Sequence, residues 1–328
     1  MKILILGTGG VGGYLGALFA RAGHELLFID REQRHVDAIN RSGLKVSGQE
    51  SFTVEVRATT RPAREFWSSA DLLILATKNI DSREALASIE ELDVGWATSI
   101  QNGLDVHDGL IARFGKERVF GMITLISGSL KGPGEVIGFW GDRPTFLGEL
   151  DGQQSPRIEK LAGQLAAAGL KVIVPDHIES VRWTKMVWWI PLVVLPSITR
   201  LTWGEAFVQP DLAVLYTRIE RECAEIASAL GHLAKNYDSM PVSRRLSLSF
   251  DDAVLDVLEM GRKLVAEGTG GKEVAMFLDL QKRRRTEAES TIGLMVKKAQ
   301  EAGIPVPYTE CAWRLIHSVE STFYKEAL

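Results

Sequence analysis

Near the N-terminus, Gly7-Thr8-Gly9-Gly10-Val11-Gly12 has the spacing G-x-G-x-x-G, directly after the apolar run Lys2 to Leu6 and ahead of a stretch with helical periodicity. The first glycine permits a tight turn, the second lets the backbone approach a pyrophosphate, and the third lets helix and strand pack closely. The N–H groups and dipole at the start of a helix favour the anion. A glycine-rich turn with no ligand would use the same letters. Here a strand precedes the motif, a helix follows, and Asp30 ends the next strand 18 positions after Gly12, so the context predicts dinucleotide binding. Asp30 suits the adenosine ribose hydroxyls and so NAD(H). Arg31 and Arg34 supply guanidinium groups that clamp a 2′-phosphate and so favour NADP(H). The residue types leave both cofactors open.

Other chemistries lack their residues. The six histidines, at 24, 35, 107, 177, 232 and 317, show no i,i+3 or i,i+4 pairing, so no metal site is expected. No G-x-S-x-G occurs. Cys223 and Cys311 are too few for a disulfide framework and fit a reducing, cytoplasmic setting. Lys282-Arg283-Arg284-Arg285 is the one dense basic run and reads first as a solvated helix face, second as a binder of a substrate carboxylate or cofactor phosphate. With 38 Lys plus Arg against 42 Asp plus Glu, the chain has no basic footprint for nucleic acid.

The elements that must position the glycine loop alternate. Strands at Lys2 to Leu6, Glu25 to Asp30, Asp71 to Thr77 and Ala97 to Gln101 interleave with helices at Val11 to Ala22, Glu32 to Arg41 and Asp81 to about Glu91. That order implies βαβ units and a parallel sheet covered on both faces. Arg118 to Gly148 reads as antiparallel strands, including Glu135 to Trp140 and Thr145 to Leu147; a helix at Pro156 to Ala168 and a strand at Leu170 to Val174 follow. Beyond Pro175-Asp176 no strand pattern recurs. The remainder reads as helices punctuated by Pro191, Pro196, Pro210, Pro241 and Gly303, with a long helix expected over roughly Lys272 to Ala302. The 328 residues, 45% hydrophobic and 24% charged, have the length and composition of about two globular domains. We expect an α/β fold: an N-terminal Rossmann dinucleotide-binding domain over 1–175 and an all-helical C-terminal domain over 176–328. The apolar start is broken by Gly7, Gly9, Gly10, Gly12 and Gly13, and Met186 to Ile198 spans thirteen residues with two prolines, short of the ~20 a bilayer needs. No membrane segment is expected.

Taken in order, a set of landmarks resembles the ketopantoate reductases (2-dehydropantoate 2-reductases). They are the glycine loop, Lys78 after one strand, Gln101-Asn102-Gly103 after the next, Trp183-Thr184-Lys185-Met186, Thr286-Glu287, and Ala302-Gly303-Ile304-Pro305-Val306-Pro307. The resemblance implies NAD(P)H-dependent reduction of a 2-oxo acid to a 2-hydroxy acid in a cleft between two domains, and a homodimer. It implies that Gly7 to Gly12 hold the pyrophosphate, Arg31 meets an adenosine 2′-phosphate, and Lys78 and Ser127 lie against the cofactor. Asn102 would stand beside nicotinamide and substrate, Lys185 would be the general acid, and Glu287 would organise lysine and cofactor. The chemistry agrees: hydride arriving at a ketone carbon leaves an alkoxide that needs a proton and positive charge, and a lysine in a cleft supplies both. Each residue has a plainer alternative: a solvated Lys185, an Arg283–Glu287 pair on an exposed helix face, a turn role for Asn102, a surface Lys78.

The substrate-reading residues depart from the family. The asparagines that follow its lysine are missing, since no Asn lies between Asn102 and Asn236, and Trp188 to Val194 stand there instead. Ala275 takes the place of the family's serine. A pocket without those partners would strip water from polar substrate groups at about 1–3 kcal/mol each. The departure predicts a bulkier, more apolar 2-oxo acid, branched-chain or aryl, as in D-2-hydroxyacid dehydrogenases. If the tryptophans are only core, it predicts nothing. A different dehydrogenase on this plan, or a non-enzymatic dinucleotide sensor, are the rival readings.

Overall fold

The structure is a computed structural model describing residues 1–271 and 273–324. By internal contacts the chain divides into two compact units, one over Met1–Glu179 and one beginning at Ser180.

The first unit runs β1 (Lys2–Leu6), α1 (Gly10–Arg21), β2 (Glu25–Ile29), α2 (Gln33–Ser42), β3 (Leu44–Gly48), β4 (Phe52–Val54), β5 (Arg57–Thr59), β6 (Ser69–Leu75), α3 (Ser82–Ala87), β7 (Asp93–Ser99) and α4 (Asp108–Phe114). Its main sheet has the order β5-β2-β1-β6-β7 and is parallel throughout, with Ile3 opposite both Leu26 and Leu72. In β1, Ile3 and Ile5 enter the core that includes α1, while Leu4 and Leu6 enter the core on the other face. Both faces are covered, so the strand reads as an unbroken apolar run. There follow β8 (Phe120–Thr124), β9 (Ser127–Gly132), β10 (Glu135–Phe139), β11 (Thr145–Glu149), α5 (Pro156–Ala167) and β12 (Val172–Ile173). They build a sheet β4-β3-β10-β9 and a smaller one β12-β11-β8. The antiparallel expectation holds for β8–β11 and β9–β10, whereas β10–β3 and β11–β12 are parallel.

The second unit is carried by α6 (Ile178–Thr199), α7 (Trp203–Phe207) and α8 (Pro210–Ala229). After a two-residue hairpin of β13 (Asn236–Tyr237) and β14 (Met240–Pro241) come α9 (Val242–Ser247), α10 (Phe250–Ala266), α11 (Ala275–Gln281), α12 (Leu294–Ala302) and α13 (Pro307–Ser321). The hairpin corrects the expectation that no strand follows Pro175. Among the described residues no helix is long and apolar enough to cross a membrane.

Two further expectations are overturned. Pro191 and Pro196 do not punctuate the chain; both lie inside the 22 residues of α6. A proline removes the N–H that would serve the carbonyl four residues back, and here other side chains step in. Trp203 Nε1 donates to the Leu192 carbonyl at 2.9 Å, the carbonyl Pro196 leaves unserved. Tyr216 Oη donates to the Trp188 carbonyl at 3.2 Å, in the turn Pro191 disturbs.

The single helix expected over Lys272 to Ala302 is instead α11, a break, one π-helical turn at Glu289–Gly293, and α12; Lys272 itself lies outside the described residues. The break is a helix stop built without glycine. Arg283 adopts φ +51°, its N–H donates to the Leu280 carbonyl, and the Arg284 N–H donates to the Asp279 carbonyl. Those two bonds are the Schellman pattern. The basic run therefore caps a helix end, where cations complement the dipole, and does not lie along a helix face.

Candidate active site

In the first unit the glycine loop joins the end of β1 to α1, and its geometry separates the roles of its residues. Gly7 has φ +96°, and a Cβ there would lie 2.9 Å from the Thr77 nitrogen. A Cβ on Gly12 would lie 2.3 Å from the Gly7 carbonyl oxygen, so helix and strand meet with no room for a side chain. Gly10 lies against β9: its Cβ would come within 2.2 Å of Gly128 and 2.4 Å of the Ser129 nitrogen, in the strand that Ser127 opens. A Cβ on Gly9 would meet nothing within 4 Å. No side chain caps α1 and its first turn holds no acidic residue, so its leading N–H groups, from Gly10 and Val11 onward, are not served by the loop's own side chains. An open backbone face beside an uncapped helix start fits a dinucleotide's pyrophosphate.

Thr8 faces inward. Its side chain is fully buried, its N–H donates to Asp30 Oδ2 at 2.7 Å, and its carbonyl accepts from His35 Nε2 at 3.0 Å. The other oxygen of Asp30 accepts the Glu32 N–H at 3.0 Å, so this carboxylate organises the loop as well as ending β2. The Arg31 guanidinium is 73% exposed and pairs with Asp81 Oδ1 at 2.9 Å, just ahead of α3.

At the ends of β6 and β7, Gln101 ties the strands together. Its Nε2 donates to the Thr77 carbonyl and to Ser82 Oγ, both at 2.8 Å, and its Oε1 accepts from Ser99 Oγ at 2.9 Å. Asn79 Nδ2 donates to the Asn102 carbonyl at 2.6 Å, anchoring that residue by its backbone. The half-buried Asn102 amide is itself without a hydrogen-bond partner among the described residues. Lys78 is half-buried, at the start of the short turn that ends at Asp81.

The second unit brings Lys185 and Glu287 together. Lys185 sits in the second turn of α6. Burial lowers the pKa of its ammonium to about 8 against the opposing pull of Glu287, and Arg182 adds to the lowering. Arg182, one turn earlier, is 5% exposed. Trp183 stacks on His232 at 4.9 Å, and Thr184 Oγ1 accepts the Lys235 N–H at 3.0 Å, so the residues before the lysine are fixed to the segment after α8. Glu287 lies in the break before the π-helical turn, half-buried, and not on a helix with Arg283. The exposed-pair alternative is thereby removed. Beyond Lys185, residues Ile190 to Leu195 are core, whereas Trp188 and Trp189 keep part of their surface.

Sequence reasoning named the loop, Asp30, Arg31, Lys78, Asn102, Ser127, Lys185 and Glu287, and did not name for the site three residues that bond to or act on some of these, Arg182, Asn79 and His35. Arg182 carried a readable signal, a cation at i−3 from Lys185. Asn79 and His35 carried none, since their partners are backbone atoms 23 and 27 positions away in sequence.

A parallel sheet opening on an uncapped glycine loop, with a lysine of lowered pKa on a helical unit, defines the class of nicotinamide-dinucleotide oxidoreductases. The family profile described as ketopantoate reductase PanE/ApbA matches residues 3–152, and its C-terminal profile matches 177–320. The chain belongs to the ketopantoate reductase family. It is an NAD(P)H-dependent oxidoreductase of that kind, reducing a 2-oxo acid. It is 28% identical to the 2-dehydropantoate 2-reductase of Archaeoglobus fulgidus over 320 residues and 30% identical to that of Pyrococcus abyssi over 322, covering 98% of each chain in both cases. In fold it resembles D-mandelate dehydrogenase in its complex with NADH and anilino(oxo)acetate, at TM-score 0.83 and 23% identity, over 98% of this chain and 99% of that one.

Proposed function

We propose that this chain reduces a 2-oxo acid with an apolar side chain larger than that of ketopantoate, and that it accepts NADH as well as NADPH. The carrying observation is the helix after Lys185. Its side chains are Trp188 and Trp189, partly accessible, followed by buried aliphatic residues, with no amide to serve substrate hydroxyls. An aromatic surface rewards apolar area at roughly 25 cal/mol per Å² and offers polar groups few partners. The complex of D-mandelate dehydrogenase with anilino(oxo)acetate is support from an aryl ligand on the same fold.

In this reading residues 1–175 hold the cofactor and 176–328 carry the acid and the substrate's side chain. Gly9, Gly10 and Val11 would hold the pyrophosphate through backbone N–H groups, with Asp30 and Arg31 at the adenosine end and Lys78 and Ser127 alongside. When bound, the cofactor supplies a hydride. As negative charge developed on the substrate's carbonyl oxygen, the Lys185 ammonium would give that oxygen its proton, leaving a hydroxyl on the substrate and a neutral amine on the lysine. Glu287 holds the ammonium charged and in place until that step, and Asn102 presents its amide beside the reacting carbonyl. Solvent then returns a proton to the lysine amine. Cytoplasmic residence and a homodimer complete the reading. Its supports are two cysteines that are both free and the outward apolar residues Tyr308, Leu315 and Val319 of α13.

The test is oxidation of NADH, and separately of NADPH, with ketopantoate, 2-oxoisovalerate, 2-oxo-4-methylvalerate and phenylglyoxylate. We expect kcat/KM for the branched-chain or aryl acids to exceed that for ketopantoate at least tenfold. The reverse order would overturn the reading and favour the second one, ketopantoate itself, which the names of the archaeal relatives support.

A further inference from the structure

We propose that His35 is a positioning residue for the pyrophosphate loop, an inference that rests on the dinucleotide reading. His35 lies in the first turn of α2, 2% exposed, and bridges two backbone segments. Its Nδ1 accepts the Gly134 N–H at 2.9 Å, which places the ring's proton on Nε2, and Nε2 donates to the Thr8 carbonyl at 3.0 Å. Gly134, at φ +74°, belongs to the turn joining β9 to β10, and β9 is the strand whose Gly128 rests on Gly10. One imidazole therefore joins α2, the loop and the strand against the start of α1.

The consequence follows from peptide planarity. In a trans peptide the carbonyl of one residue and the N–H of the next point in opposite directions. Pinning the Thr8 carbonyl inward on a buried imidazole turns the Gly9 N–H outward, on the residue where the backbone is open. Asp30 fixes the preceding peptide through the Thr8 N–H. Donors held in place before an anion arrives lose little freedom on binding. His35 thus acts on the cofactor through Thr8 without touching it.

Two variants separate this role from simple packing. In His35→Gln the side-chain amide nitrogen reaches where Nε2 stood and keeps the Thr8 bond. In His35→Asn the side-chain oxygen reaches where Nδ1 stood, keeping the Gly134 bond and losing the Thr8 one. Dissociation constants for NADH and NADPH are measured by quenching of tryptophan fluorescence, with the inhibition constant of adenosine, which has no pyrophosphate, as the internal reference. We expect His35→Asn to weaken NADH binding about tenfold, the loss of one buried hydrogen bond. His35→Gln should stay within about threefold of the parent. Adenosine inhibition should be the same in all three proteins, and kcat at saturating cofactor should change less than twofold. Equal NADH affinity in the two variants, weaker binding in the glutamine variant, or a parallel loss of adenosine affinity would each overturn the proposal. A parent protein that binds neither dinucleotide would instead remove the reading on which it rests.

Discussion

Lys185 is a cation whose surroundings loosen its proton. Burial lowers its pKa to about 8, the Glu287 carboxylate pulls it back up, and Arg182 pushes it down. A general acid must be protonated to act, so kcat/KM for reduction should be level below pH 8 and fall as pH rises through it. Glu287→Gln removes the group that favours the ammonium, so the break should move to lower pH. A stopped-flow pH series would contradict the assignment if the break stayed in place. Lys185→Ala should lower kcat about 10²- to 10⁴-fold while leaving NADH affinity intact. In the proposed cofactor site Asp81, paired with Arg31, would compete with a 2′-phosphate for that guanidinium and leave a negative charge beside it. Asp81→Asn should shift the KM ratio toward NADPH by about fivefold, the scale of one exposed ion pair. An unchanged ratio would mean that Arg31 does not read that phosphate. The lysine was legible at a spaced landmark, and the arginine as the cation that follows the acid ending the second strand. Asp81 was legible only as a helix start, because its pairing with Arg31 spans 50 positions of sequence.

At the scale of elements, the β1–α1–β2 unit was readable because local rules agree there: an unbroken apolar strand, glycines at the turn, an acid closing the next strand. Helix α6 was not readable as one element, because the compensation for its prolines lies elsewhere in the chain. Trp203 is 11 residues and Tyr216 is 28 residues from the carbonyl each one serves. The same holds for the stop after α11, where Arg283 takes the left-handed position that usually signals itself by glycine. Trp203→Phe tests the account directly. The ring volume is largely kept, but the Leu192 carbonyl loses its buried donor, so unfolding free energy should fall by about 1–3 kcal/mol. A variant as stable as the parent in urea would show that α6 tolerates Pro196 without that bond. The substitution should also loosen α6 downstream of Lys185, seen as faster amide exchange at residues 197 to 199.

For the molecule as a whole, the second unit combines a strong internal tie with a deliberate weakness. Arg245, 2% exposed, binds Glu220 at 2.7 Å, Asp256 at 2.9 Å and Tyr216 at 3.2 Å, so that α8, α9 and α10 share one buried charge cluster. Arg245→Met would strand the Glu220 carboxylate, at a cost of about 3–5 kcal/mol; Arg245→Met with Glu220→Leu should recover most of it. Lys185 is the weakness, because its fold favours the uncharged amine. Its pKa falls from 10.5 in the unfolded chain to about 8 in the folded one. Below pH 8 both states carry the charge and the full penalty is present. Between pH 8 and 10.5 the folded state sheds its proton first, the unfolded state holds more protons, and stability rises; above 10.5 the penalty is gone. Lys185→Met should therefore be more stable than the parent at pH 7, by up to about 3 kcal/mol, although it abolishes proton transfer. The two urea curves should converge as pH rises from 8 toward 10.5. If the methionine variant is instead less stable at pH 7, the ammonium is stabilised by its surroundings, and its role as a proton donor poised near neutrality would have to be abandoned.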